Sequence, residues 1–297
     1  MSPNRLTFAV HGLLIIAILS SHAAAETNAP EQPRPGISAW DTARASADPL
    51  TAEAISARQG WSRIPRNEKV AAFKGDAVIS NGRVMAVVRE RGSAIDLYTL
   101  RPRGAIARAR LRLLASKGEP AARLASVALV ENTRSAARLQ ASFRTTDGET
   151  IAAKFRLRRG AVTLEIEPHA DTGRLRVDCP GRFVVLPDFF ADDILIDAHR
   201  IPVTRIDVPS EHFLLHLTGK GNAITMCVFE NREQDVKVSL AGKGEKRIVN
   251  GSEIDFGKGR KIWVALIDAP RDNIPFVSDG RTNLADLPPD PSRTSTS

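Results

Sequence analysis

Residues 77–88 read AVISNGRVMAVV, and this stretch decides the fold. Two apolar runs of strand length flank Asn81-Gly82, the residue pair favoured by two-residue hairpin loops because both residues tolerate positive φ angles. Valine and isoleucine in the two runs suit a pleated, half-buried surface. The stretch therefore predicts an antiparallel hairpin with a type I′ turn at Asn81-Gly82.

Strands of the same kind follow along most of the chain. In residues 161–168, Val162, Leu164 and Ile166 alternate with polar side chains, which is typical of a half-buried antiparallel strand. Glycine-rich turns separate the strands, and no room is left for the crossover helices that a parallel sheet needs. We predict an all-β fold, an antiparallel β-sandwich built as one large supersandwich or as two consecutive smaller sandwiches, with a short N-terminal helix. Further strands are expected at 138–144, 150–158, 212–218, 223–229, 236–240, 247–249, 254–256 and 261–267.

The chain divides into segments of different composition. The helix should be capped by Asp48 or Thr51 and end at Gly60, and the strand pattern breaks at residues 179–181. Polar, proline-containing stretches at the two ends predict disorder. The predicted segments are a signal peptide (1–25), a disordered leader (26–48), a short helix (49–60), a first sandwich portion (61–180), a second sandwich portion (181–277) and a disordered tail (278–297).

The first residues predict export. Arg5 precedes an apolar run at 13–19, and Ala23-Ala24-Ala25 supplies the small residues that a signal peptidase reads, with cleavage expected before Glu26. The run is shorter than the ~20 apolar residues of a membrane-spanning helix. We expect a periplasmic or extracellular protein with no membrane span after signal cleavage.

The charge balance limits the classes of partner. The chain has a formal net charge of +8 and a single tyrosine. It carries no nucleic-acid-binding motif, so we expect no nucleic-acid partner. Guanidinium groups bind carboxylate and sulfate in a bidentate manner. The expected partner is acidic polysaccharide or other envelope material.

Arg108, Arg110 and Arg112 alternate with small or apolar residues. In a strand, their side chains would line one face at ~7 Å steps and could bind a polyanion. Arg101 and Arg103 lie just upstream. The alternatives are a solvent-facing strand whose arginines pair with cross-strand Asp or Glu, or an amphipathic helix.

The densest acidic cluster contains Asp188, Asp192, Asp193 and Asp197. Asp188, Asp192 and Asp193 could converge in a tight turn and bind Ca²⁺, or act as catalytic carboxylates. Asp197 would lie ~13 Å from Asp193 along a strand and could not share the site. The alternative is a loop whose Asp side chains cap backbone N–H groups. No cofactor other than this Ca²⁺ is predicted.

Cys179 and Cys227 could form a disulfide in an oxidising compartment. Cys227 lies in an apolar run, where a free thiol behaves as a small hydrophobic side chain, so both interpretations stay open.

Two further pairs resemble known sites only in spacing. Glu165 and Glu167 share a strand face at the separation of glycosidase carboxylates, but any exposed strand face can carry two Glu, so a solvated face is the favoured interpretation. His212 and His216 would lie ~13 Å apart on a strand, too far to bind one zinc ion together.

The order of strands and turns from Arg138 to Pro187, with turns at Asp147-Gly148 and Gly160, resembles the supersandwich domains of the galactose-mutarotase-like superfamily. These domains occur within many carbohydrate-active enzymes, so the resemblance implies a glycan-related function. It covers about a sixth of the chain and assigns no catalytic residue to any position here.

The sequence contains no nucleophile elbow, no zinc-protease helix motif and no phosphate-binding loop. We therefore expect a non-catalytic exported module that associates with polysaccharide or envelope material. A carbohydrate-active hydrolase or lyase and a structural or assembly protein of the cell envelope are the alternatives.

Overall fold

The computed structural model describes residues 36–186, 193–209 and 212–268. One short α-helix, α1, spans Ala52–Ala57. Within these ranges, the remaining regular structure is β-strand, apart from short 3₁₀ turns. The strands are β1 Ser38–Asp41, β2 Ser62–Ile64, β3 Ala77–Ser80, β4 Val84–Val88, β5 Ile95–Arg101, β6 Gly104–Ala115, β7 Ala121–Asn132, β8 Ala136–Thr145, β9 Thr150–Arg158, β10 Thr163–Ala170, β11 Thr172–Gly181, β12 Phe183–Leu186, β13 Ile194–Asp197, β14 Arg205–Val208, β15 Phe213–Thr218, β16 Ala223–Phe229, β17 Val236–Ala241, β18 Ile248–Asp255 and β19 Ile262–Asp268.

The strands form two antiparallel sheets. Sheet 1 has the order β14-β17-β18-β11-β6-β5-β4-β3-β1-β2, and sheet 2 has the order β13-β12-β15-β16-β19-β10-β9-β8-β7. One hydrophobic core contains inward-facing residues from both sheets, which confirms the predicted all-β sandwich. Strands from before and after residue 180 occur in each sheet, so the two predicted portions build one sandwich together.

The hairpin at residues 77–88 forms, but its turn differs from the prediction. Ala77 pairs with Val88 and Ser80 with Met85, so the central turn residues are Gly82 and Arg83. Only Gly82 has a positive φ angle, +82°. Asn81 instead accepts backbone N–H bonds from Arg83 and Val84 through Oδ1. The side chain of Asn81 therefore stabilises the turn through two hydrogen bonds, and Asn81 does not adopt the positive φ angle that was expected.

Helix α1 covers part of the outer face of sheet 1. Thr51 Oγ1 accepts the backbone N–H of Ala54 at 3.2 Å, as predicted for the cap. The helix ends at Ala57, before Arg58 with a φ of +47°, and not at the predicted Gly60. Its Ile55 packs against Val78, Met85, Val87 and Tyr98 of sheet 1, and these residues form a second, smaller apolar cluster.

The predicted disordered leader is wrong for residues 36–48. Ser38–Asp41 forms β1, which pairs with β2 on one side and β3 on the other. Asp41 also accepts backbone N–H bonds from Lys74 and Gly75. Pairing with distant strands orders a segment whose composition alone predicted disorder. The predicted signal peptide and C-terminal tail lie outside the described residues. Within the described ranges, no helix has the length and apolarity required to cross a membrane.

Candidate functional site

A cavity of about 400 Å³ opens on the outer face of sheet 1. It lies over β5, β6, β11 and β18, beside the segment that leads into α1. We call it the arginine pocket. Its lining residues are Pro49, Asp96, Tyr98, Ala107, Arg108, Ala109, Arg110, Arg112, Arg176, Asp178, Pro180 and Asn250.

Irregular strand pairing surrounds this pocket. The pairing of β5 with β6 shifts between Leu97 and Tyr98, and that of β11 with β18 shifts between Asp178 and Gly181. Such bulges bend strands locally and re-aim side chains. Gly251 pairs with Asp178, and a Cβ atom there would lie 2.3 Å from the Val177 carbonyl oxygen. The absence of a side chain at Gly251 therefore permits the close strand approach at the pocket rim.

Asp96, Arg110 and Asp178 lie in one row across three strands. The register pairs Asp96 with Arg110 and Arg110 with Asp178. Asp96 Oδ1 accepts a bond from Arg110 Nε at 2.7 Å, and Asp96 Oδ2 lies 3.1 Å from Arg89 Nε. Both oxygens of Asp96 are thus engaged by arginines.

Asp178 has an equivalent environment. Its Oδ2 lies 3.1 Å from Arg112 Nε, and its Oδ1 accepts from Arg176 Nε at 2.7 Å. Arg176 also donates through Nη1 to Glu253 at 2.9 Å. Burial opposes the charge of Arg176, but its bonds to Asp178 and Glu253 outweigh burial and raise its pKa above the usual range.

Arg108 also lines the pocket, but it pairs with a different carboxylate, that of Asp268. Its Nη2 lies 2.8 Å from Oδ1 of Asp268, at the end of β19 in sheet 2, and its side chain is only 7% exposed. Arg101 contacts the other oxygen of Asp268 at 2.8 Å. Burial lowers the pKa of Arg108, and the charge of Asp268 opposes this shift. The predicted ladder of three arginines on one face is therefore wrong for Arg108, because a bulge interrupts the strand pairing there.

Guanidinium groups surround the two carboxylates of the arginine pocket. Each oxygen of Asp96 and of Asp178 lies next to an arginine nitrogen. Four arginines surround these two carboxylates, which leaves an excess of positive charge. Arg110 and Arg112 contact the aspartates through Nε, and their side chains are 31% and 39% exposed. Both side chains are therefore partly accessible to a ligand.

The acidic cluster is only partly described. Asp188 and Asp192 lie outside the described residues, and Asp193 is exposed. Asp197 forms a bidentate ion pair with Arg182, at 2.9 and 2.8 Å, which holds its pKa below the usual range. No group of three or more potential metal ligands occurs within the described ranges. Ca²⁺ binding or catalysis at Asp188, Asp192 and Asp193 stays a prediction.

The two cysteines are free and buried in the shared core. Burial raises the pKa of Cys179 to about 11 and raises that of Cys227 further. Cys179 lies in sheet 1 and Cys227 in sheet 2, so a disulfide between them would link the two sheets. That disulfide is not formed in the structure and stays a prediction.

The glutamate pair lies on the outer face of sheet 2. Burial opposes the charge of Glu165, but Lys261, at 2.9 Å, and Arg158 outweigh it and lower the pKa of Glu165. Glu167 pairs with Lys154. Glu165 is thus buried and ion-paired, and not part of a solvated face.

The histidines of β15 and the preceding turn do not share a ligand. His216 is fully buried between the sheets, and its Nε2 lies 3.0 Å from Ser252 Oγ. Burial lowers the pKa of His216 to about 4. His212 contacts the Phe229 carbonyl through Nδ1 at 3.1 Å. The two side chains have different partners, and His212 lies just before β15, not on the strand where it was expected.

Sequence reasoning found Arg110 and Arg112 but missed Asp96, Asp178 and Arg176. These residues are far apart in the chain, and only the pairing of β5, β6 and β11 brings them together. The cross-strand acidic partners named as an alternative are present. A local pattern cannot give the register that selects them.

No family model matches this chain, and no curated protein matches it. Among solved structures, the α-N-acetylgalactosaminidase NagBb from Bifidobacterium bifidum, in complex with GalNAc, is similar with a TM-score of 0.43 and 11% identity over 64% of this chain and 36% of that chain. The GH36 α-galactosidase AgaA from Geobacillus stearothermophilus gives 0.38 and 8%, over 65% and 40%. A mutant of the heparan sulfate lyase HepC from Pedobacter heparinus gives 0.33 and 8%, over 74% and 40%.

The chain therefore spans 36% to 40% of the length of these proteins. All three are named as carbohydrate-acting enzymes. Similarity at this level assigns neither a family nor an activity to this chain. The resemblance to galactose-mutarotase-like domains stays a prediction.

Proposed function

We propose that this chain is an exported, non-catalytic sandwich module that binds anionic polysaccharide through the arginine pocket. The observation that carries the proposal is the set of arginines around Asp96 and Asp178. The aspartates fix the guanidinium groups in place, and the partly exposed side chains of Arg110 and Arg112 form a positioned pair of donors. The export signal predicted from the sequence supports an extracellular or periplasmic ligand.

The chemistry of the pocket favours a sugar that carries carboxylate or sulfate. Planar guanidinium groups bind such oxygens with two parallel hydrogen bonds. The cavity of about 400 Å³ lies within the size range of small-ligand pockets. Tyr98 lines the pocket, and burial raises its pKa, so its hydroxyl stays protonated. One acidic sugar unit could therefore occupy the pocket while the rest of the polymer lies along the sheet.

The test is calorimetric binding of a sulfated oligosaccharide, a uronic acid oligosaccharide and a neutral oligosaccharide to wild type and to Arg110→Ser/Arg112→Ser. In this variant Asp96 keeps Arg89 and Asp178 keeps Arg176, so both carboxylates remain paired. A hydrogen bond to a charged group contributes ~1.5 kcal/mol or more, so losing two should weaken anionic binding about 100-fold. Binding should also weaken as salt increases.

The matched control is Arg138→Ser/Arg158→Ser on the outer face of sheet 2. Glu131 then keeps Arg156 and Glu165 keeps Lys261, so both carboxylates remain paired, as in the pocket variant. The control removes the same charge from the opposite side of the sandwich. Equal losses of anionic-ligand affinity in the two variants would contradict the proposal. A wild type that binds the neutral oligosaccharide as tightly as the anionic ones would also contradict it. An unchanged affinity in the pocket variant would do so as well.

A further inference from the structure

Five neighbouring strands of sheet 2, β13, β12, β15, β16 and β19, carry an apolar outer face. Along β15 and β16, buried residues alternate with partly exposed ones, which identifies the outward side chains. In these five described strands, every outward position except Asp197 is apolar. We call this set the apolar outer face: Phe183, Val185, Leu195, Phe213, Leu215, Leu217, Ile224, Met226, Val228, Trp263, Ala265 and Ile267.

The strand register makes this face continuous. Its rows cross the strands without a polar gap, because each apolar residue pairs with another on the next strand. The rows are Leu195–Val185–Leu215–Met226–Ala265, Phe183–Leu217–Ile224–Ile267 and Phe213–Val228–Trp263. The exposed fractions of Leu195 and Ile267 reach 57% and 42%.

The face carries no unpaired charge among its described residues. Asp197 is neutralised by Arg182, whose guanidinium lies 4.6 Å from the centre of the Phe183 ring. The other half of the same sheet is different, since Arg138 and Lys154 pair there with acidic residues. Apolar and charged outer surfaces are thus separated within one sheet.

The fold itself does not need this apolar face. The same strands point His216, Thr218 and Thr225 into the sandwich, so their inner side is the more polar one. A strand with a solvated outer side shows the reverse pattern. A continuous set of twelve apolar side chains outside the core is typical of an interaction surface.

The dimensions fit a protein interface. Five strands spaced ~4.8 Å apart span ~19 Å, and three rows spaced ~7 Å apart span ~14 Å. With the width of the side chains added, the outline of the face measures about 500 Å² at these spacings. A standard interface buries ~800 Å² on each partner, with an apolar centre and a polar rim. The face is large enough for the centre of such an interface.

We propose that the apolar outer face binds a second copy of this chain in a twofold symmetric dimer. A twofold axis places the same face on both sides of the interface, so the face must be complementary to itself. An apolar sheet face with no unpaired charge among its described residues can meet that condition, and two sheets can stack ~10 Å apart. The net charge of +8 repels a second copy at long range, but no unpaired charge on the described residues of the face adds to this repulsion. The arginine pockets would remain open, since they lie on the other sheet.

The experiment is sedimentation velocity of the full chain from about 1 to about 100 µM, a range that covers typical weak and stable dimers. Wild type should be dimeric. Leu215→Glu/Ile224→Glu places two charges in the middle of the face, and the dissociation constant should rise at least about 100-fold. The matched control, Gln140→Glu/Ser142→Glu, adds the same charges to the polar half of sheet 2 and should stay dimeric.

Two further measurements separate the interface from misfolding. Leu195→Glu changes an exposed edge residue and should weaken the dimer while the circular dichroism spectrum and melting temperature stay unchanged. Mixing Leu215→Glu/Ile224→Glu with Leu215→Lys/Ile224→Lys should restore dimers, because twofold packing brings opposite charges together. A monomeric wild type at all concentrations would overturn the proposal, as would a dimer that the face variants leave intact. A monomeric wild type that binds phosphatidylcholine vesicles through this face would overturn the dimer proposal and indicate a membrane-binding surface instead.

Discussion

His216 should make the fold sensitive to mild acid. Its imidazole is fully buried, its Nε2 contacts Ser252 Oγ, and its Nδ1 has no hydrogen-bond partner among the described residues. Burial lowers its pKa from 6.5 to about 4. The unfolded chain therefore binds a proton at a higher pH than the folded chain does. Stability is complete above the unfolded pKa and falls as the pH decreases toward the folded value.

The magnitude follows from the two pKa values. A full separation of 6.5 and about 4 corresponds to about 3 kcal/mol, at ~1.4 kcal/mol per pH unit. Between pH ~7 and pH ~5 the unfolding free energy should fall by about 2 kcal/mol from this residue alone. Urea unfolding, followed by the fluorescence of Trp40, Trp61 and Trp263, measures the difference at the two pH values.

The comparison protein is His216→Leu/Ser252→Ala, in which neither member of the buried pair can bind a proton. Burial raises the pKa of Asp76, which has the opposite effect on stability in acid, but this contribution is the same in both proteins and cancels. His199→Gln, a change at an exposed histidine, should behave as wild type. If wild type and the double variant lose the same stability between the two pH values, the reasoning about His216 is refuted.

Two further changes test the way the strands are joined. Arg108→Met should lower the unfolding free energy by about 2 kcal/mol in urea titration, less than for an isolated buried pair because Arg101 still contacts Asp268. Arg101→Met, at a more exposed side chain, should cost less, and equal losses would contradict the bridging role of Arg108. Gly251→Ala should lower the melting temperature and weaken ligand binding together, because its Cβ would lie 2.3 Å from the Val177 carbonyl. Gly148→Ala, at a positive φ with no atom within 4 Å, should cost only about 1 kcal/mol, and a similar small loss at Gly251 would refute the steric argument.

The structural features that were predicted correctly are those that depend on residues adjacent in the sequence. The hairpin at residues 77–88, the strand alternation in 161–168 and the cap at Thr51 all form, because each is set by a few adjacent side chains. The β1 strand was missed because its partners, β2 and β3, lie further along the chain. Local composition cannot show that a polar segment will be paired on both sides.

The site was predicted in part for the same reason. Alternation identified Arg110 and Arg112, but the bulge opposite Tyr98 removes Arg108 from their row. Asp96 and Asp178 enter the site only through the pairing of three strands. The apolar outer face was also missed, because an alternating strand does not reveal which of its two sides faces the core.

The reversed polarity of β15 and β16 has a consequence for how the chain reaches its native strand register. Sliding a strand by one residue exchanges its two sides, and here the exchange would bury leucine and methionine in place of histidine and threonine. Hydrophobic collapse alone would favour that alternative. In the described strands, the polar bonds that oppose the exchange include His216 to Ser252 and the Thr218 hydroxyl to the Ala223 carbonyl. Together with the inward Leu214, Cys227 and Phe229, these bonds favour the native side of the strands as the interior.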